Sequence, residues 1–150
     1  MTPQAIRDAI AASPELQALA AAGSTQAIAD ALSVGRTRVV PRMTSARGLA
    51  ELYPGGPVGA ELVLMKLEGA AAALKASAKP DDKLLGSLLA RQLSFLGGDG
   101  LDFGSAALRA MLDSFVPAIL TAEEVAGLKS IGVVPDPITH TEVGAALQGG

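Results

Sequence analysis

The chain has 150 residues, a formal net charge of −3 and 49% apolar residues, with 29 Ala and 21 Leu. It contains no Cys or Trp, one His, one Tyr and three Phe. Disulfide scaffolds, thiolate metal sites and cysteine nucleophiles are thereby excluded, and a His-based metal site or an aromatic base-stacking platform is disfavoured. The length fits one ordinary domain or two very small ones. The apolar content is too high for intrinsic disorder. Ala buries little area per side chain, so a shallow core completed by a partner is expected. The longest apolar candidate, Val58 to Leu74, is broken by Glu61, Lys66 and Glu68 and does not read as a membrane span. The first residues lack the basic start and apolar centre of a signal peptide, so synthesis in the cytoplasm is expected.

Helix signals follow one another along the chain. Thr2-Pro3 and Ser13-Pro14 each place a capping residue before a proline, which predicts helices at about 3–11 and 14–22, the second ended by Gly23. Ser24 or Thr25 starts a third, with Ile28, Ala31 and Leu32 on one face. Ser33-Val34-Gly35 interrupts it, and a helix is expected to resume near Arg36. Thr44 or Ser45 caps a segment that ends at Tyr53-Pro54-Gly55-Gly56-Pro57, the strongest break in the chain. This cluster is the expected boundary between an N-terminal unit, 1–53, and a C-terminal unit, 57–150, unless the two form one continuous domain.

The longest helical pattern, about 58–77, carries Val58, Leu62, Met65, Gly69 and Ala72 or Ala73 at three- and four-residue spacing. Its run Gly69 to Ala73 suits close helix packing, inside the chain or against another chain's helix. A helix at about 81–96 presents Leu84, Leu85, Leu88, Leu89, Phe95 and Leu96, with acids in its first turn. Ser105 opens another, with Leu108, Met111, Leu112 and Phe115 inward. Thr121 to Glu124 and Thr139 to Glu142 both read as capping boxes. Between them, Val133 to Pro137 is extended, because two prolines exclude their predecessors from the helical region. No segment shows a sustained two-residue period, so no strands are expected. The predicted fold is all-α, a compact bundle of about eight short helices.

Residues 25–43 resemble a DNA-binding helix-turn-helix. Ala29 is small where two helices cross, Leu32 and Val34 flank the turn, and Val39 returns to the core. The resemblance implies that Arg36, Thr37, Arg38 and Arg42 lie on a recognition helix. Arg36, Arg38, Arg42 and Arg47 form the one stretch of the chain that is basic throughout, with no acid between Ala31 and Ala50. Such arginines suit phosphates or a guanine edge, or an acidic protein partner. Pro41 argues against a continuous recognition helix.

Other constellations have simpler readings. Gly97 to Asp102 matches the start of a calcium-binding nonapeptide, but those repeats act as stacked copies. Asp81-Asp82 and Glu123-Glu124 sit where helix N-termini favour acids. His140 lies in a capping box, with no nucleophile nearby. No catalytic, cofactor-binding or metal-binding residues are therefore assigned.

Three segments, Ala31 to Val39, Leu101 to Asp113 and Val134 to Ile138, make the chain similar to small Ala-rich proteins of tailed bacteriophages. The resemblance implies a virion component. The expected role is then a non-enzymatic structural or adaptor protein of the capsid, neck or tail, whose partners are other virion proteins and copies of itself. It would be found in the host cytoplasm and then in the virion. Arg36, Thr37, Arg38, Arg42 and Arg47 are the expected partner-binding residues. The alternative is a small helix-turn-helix regulator that binds nucleic acid through the same residues.

Overall fold

The computed structural model describes residues 1–149. Among them are nine helices and four strands of two or three residues, so the all-α expectation holds. The helices are α1 (Pro3–Ala12), α2 (Pro14–Ala21), α3 (Thr25–Ser33), α4 (Ala46–Leu52), α5 (Gly56–Ala76), α6 (Pro80–Phe95), α7 (Ala106–Ser114), α8 (Ala122–Ser130) and α9 (His140–Gln148). The strands are β1 (Thr37–Val39), β2 (Met43–Thr44), β3 (Leu101–Asp102) and β4 (Val133–Pro135). β1 pairs with β4, and β2 runs antiparallel to β3 with Met43 opposite Asp102. These strands were not expected, because two or three residues are too few to display a two-residue period.

The chain divides into two compact units, and the division is not the expected one. Unit 1 comprises Met1–Arg38 together with the residues from Val134 onward, and unit 2 is Val39–Val133. The Tyr53 to Pro57 cluster lies inside unit 2, where it forms a tight turn between α4 and α5, two helices that pack together. The turn breaks the helix without ending the core, because Leu49 on one side and Ala60 and Val63 on the other belong to one buried cluster.

Unit 1 packs α1, α2, α3 and α9 around Ile6, Ile10, Leu16, Ile28, Ile138 and Val143. Ala29 on α3 and Ala146 on α9 are both fully buried, and the small side chains let these helices approach closely. The caps are those expected: Thr2 and Ser13 accept from the backbone N–H groups of Ala5 and Leu16, and Thr139 with Glu142 forms a complete capping box. Gly23 closes α2 with a φ of +70°, a conformation that glycine adopts without steric cost.

Unit 2 is built around the hairpin of α5 and α6. Gly86 makes this crossing possible, since a Cβ there would lie 2.7 Å from the backbone nitrogen of Lys75 and 2.8 Å from Leu74 Cβ. The core gathers Val63, Leu67, Leu89, Phe103, Phe115 and Leu128. Leu108 and Leu112 of α7 point inward as expected, whereas Met111 is only half-buried. Ser105 caps α7, and Thr121 with Glu124 completes the capping box of α8.

The expected recognition helix does not form. Residues 37–39 are a strand, and 40–42 are in neither helix nor strand. The causes are local and long-range. Gly35 takes a φ of +70° after α3. Pro41 excludes Val40 from the helical region, leaving too few residues for even two turns. The β-branched pair Val39-Val40 suits a strand, and the Val40 N–H is satisfied by the Gly132 carbonyl at 2.9 Å. Residues 25–43 therefore comprise a helix followed by a strand, and the helix-turn-helix is absent.

Candidate interaction surface

The five residues expected to bind a partner are divided between the units. Arg36, Thr37 and Arg38 belong to unit 1, and Arg42 and Arg47 to unit 2. In unit 1, Arg36 donates to the Asp136 carboxylate at 2.7 Å and, through Nε, to the Asp136 carbonyl at 3.2 Å. The Asp136 N–H in turn donates to the Arg36 carbonyl. Arg38 reaches the same carboxylate at 3.8 Å and stays mostly exposed. Arg36 is thus a structural tie between the segments that precede β1 and follow β4. In unit 2, Arg42 lies 3.4 Å from the Ile131 carbonyl, and Arg47 pairs with Glu51 one turn along α4. Arg36, Arg38 and Arg42 thus meet acids or carbonyls that are distant in sequence, whereas Arg47 pairs locally with Glu51.

The acidic groups are also engaged. The Asp102 carboxylate accepts from the backbone N–H groups of Arg42 at 2.7 Å and Gly104 at 2.9 Å. It fastens two loops of unit 2, which accounts for an Asp at the end of the Gly97 to Asp102 run. In unit 2, Glu124 accepts from Lys66 and from the Thr121 N–H; these bonds hold its carboxyl below the usual range. Beside this pair lies Tyr53, whose hydroxyl is pushed up by burial and then by Glu124. Its ring occupies a cradle of glycines: a Cβ on Gly55, Gly59 or Gly127 would come within 2.8 to 3.0 Å of it. In unit 1, the Thr139 N–H and hydroxyl donate to Glu142 and lower its carboxyl. His140 is exposed at the start of α9. No group of three or more His, Asp or Glu among the described residues is arranged to hold a metal ion.

What unit 2 does present is apolar surface. On α5 the face turned inward is Ala60, Val63, Leu67 and Ala71. The stripe singled out from spacing faces outward instead: Val58 is 74% exposed, Leu62 55% and Met65 59%. The helix is apolar on two faces, so spacing alone does not identify the buried one. On α6, Gly86, Leu89 and the following Leu96 point inward, whereas Leu84, Leu88 and Phe95 are exposed. Leu88, Phe95 and Met43 border an open cleft of about 370 Å³, floored by Leu101, Leu108 and Met111. Its lining is mostly apolar, with Gln92, Asp102 and Ser105 as its polar side chains. Exposed apolar surface arranged as a stripe and a cleft is the usual mark of an interaction site.

No helix among the described residues is long and apolar enough to cross a membrane. Comparison with protein-family models, curated proteins and solved structures finds no match to the chain.

Proposed function

We propose that this chain is a non-enzymatic structural or adaptor protein that acts through protein–protein contacts, and that its setting is the particle of a tailed bacteriophage. The observation that carries the first part is the apolar surface of unit 2. Large apolar side chains that lie outside the core line one face of α5 and the cleft beside α6. Keeping such a surface in water is unfavourable, and covering it with a partner recovers the transfer free energy. The setting rests on the similarity of Ala31 to Val39, Leu101 to Asp113 and Val134 to Ile138 to phage proteins. On this reading the partners are other virion proteins. The Arg36–Asp136 tie gives those residues a role in building unit 1 rather than in reading a ligand.

Mass spectrometry of purified particles tests the proposal. The chain is expected at a fixed copy number per particle after density-gradient purification. Recovery of the chain only as free protein in infected-cell lysate overturns it. A variant with Leu88→Glu and Phe95→Glu keeps its helical circular dichroism and is expected to be depleted from particles.

A further inference from the structure

The outward stripe of α5 matches itself under reversal. Val58, Leu62, Met65, Gly69, Ala72 and Ala76 are all exposed and follow one another in alternating steps of four and three residues. That alternation is the seam spacing of a coiled coil. Large residues fill the first half of the stripe and small ones the second. A second α5 reversed about the level of Leu67 sets Val58 against Ala76, Leu62 against Ala72 and Met65 against Gly69. Each layer then pairs one large residue with one small one, and the same contacts recur on both sides of a two-fold axis. This self-complementarity is what an isologous dimer requires.

Two further features fit the same arrangement. A Cβ on Gly69 would meet nothing within 4 Å in its own chain. Glycine inside a helix is unfavourable relative to alanine, so intrachain packing gives no reason for it, whereas Met65 of a second copy would use the space. Glu61 and Lys75 lie on one flank of the seam, two turns apart on either side of Glu68, and neither is in an ion pair among the described residues. Antiparallel docking brings each Glu61 to Lys75 of the other copy. The same flank places the two Glu68 side chains near the axis, a like-charge contact that weakens the pair. On the other flank, Lys66 is held by Glu124 of its own chain.

We propose that this face of α5 binds a second copy of the chain as an antiparallel helix pair. The inference rests on the reading of unit 2 as a protein-binding surface and names one of its occupants.

The full chain, free of Cys, gives a direct test. Leu62→Cys and Ala72→Cys are prepared as separate variants. When they are mixed and oxidised, a disulfide-linked heterodimer forms, and neither variant alone cross-links. Sedimentation equilibrium of the unmodified chain shows a dimer. Leu62→Glu with Met65→Glu raises its dissociation constant at least about a hundredfold, because charge must be buried in the seam. Glu68→Gln lowers that constant a few-fold. A chain that is monomeric at millimolar concentration overturns the proposal. So does a dimer that persists in the double Glu variant, or cross-linking of Leu62→Cys with itself. If the monomeric chain is nonetheless found in purified particles, the dimer alone fails and the adaptor reading stands. Absence from particles sinks that reading while leaving the dimer to its own result.

Discussion

Units 1 and 2 use the same Ala- and Leu-rich alphabet to different ends. Unit 1 turns most of its large apolar residues inward, with Val34, 82% exposed, the main exception. Ile6, Ile28, Val143 and Ala146 are completely buried, and its segments are tied by polar contacts such as Ser33 to the Ile138 backbone and Arg36 to Asp136. Unit 2 has the larger core, with Phe103 and Phe115 at its centre, yet most of the exposed large apolar residues are also in it. A high apolar fraction therefore measures two things at once: how much core a segment makes and how much surface it leaves for others. Only the three-dimensional arrangement separates the two.

The contrast can be broken from the core outward. Phe115→Ala in unit 2 is expected to cost about 3–5 kcal/mol and Ile28→Ala in unit 1 about 2–5 kcal/mol, by loss of transfer free energy and creation of a cavity. Denaturant titration measures both. Near-equal costs would show that unit 1 lacks nothing in packing quality for its smaller side chains. Next comes the polar tie. A double-mutant cycle between Arg36→Ala and Asp136→Ala should give a coupling of about 1 kcal/mol, since the pair is charge-assisted but only half-buried. Thr121→Ala removes a cap and should cost about 1 kcal/mol.

The capping boxes also carry a pH signature, one in each unit. Glu124 and Glu142 both have carboxyls lowered by the bonds they accept. The unfolded chain, with carboxyls near their ordinary value of about 4.3, takes up protons before the folded chain does. Their contribution is therefore complete above that pH and is lost as pH falls through the lowered folded values. Thermal melts between neutral pH and pH 3 should show this loss, and Glu124→Gln with Glu142→Gln should reduce its slope. The smallest effect is expected at the surface: Leu84→Ala, on an exposed part of α6, should change stability by no more than about 0.5 kcal/mol.

Local chemistry explains what the sequence made legible. Thr2, Ser13, Ser45, Ser105, Thr121 and Thr139 were all readable as helix starts and all cap helices, because a cap joins residues only three apart. The stripe on α5 was readable as a stripe but not as an outward one, since Val63 and Leu67 supply a second apolar face. β1 was unreadable because its partner strand is nearly a hundred residues away, and Asp136 was unreadable as the partner of Arg36 for the same reason. Proximity in sequence suggested that Arg36 to Arg47 acts as one basic patch. In the fold, distant carbonyls and carboxylates claim most of it. The boundary expected at Tyr53 failed similarly: Pro and Gly mark where the backbone turns, whereas the limits of a core depend on which distant helix closes it.

The return of the chain to unit 1 at Val134 has a consequence in time. On a ribosome, all of residues 39–133 emerge before α9 does. Unit 2 thus has its full complement of core residues while α1, α2 and α3 still lack Ile138, Val143 and Ala146. The part of the chain made first is the last that can finish folding. Until α9 is made, the nascent chain displays an unfinished hydrophobic site that fits one of its own later segments.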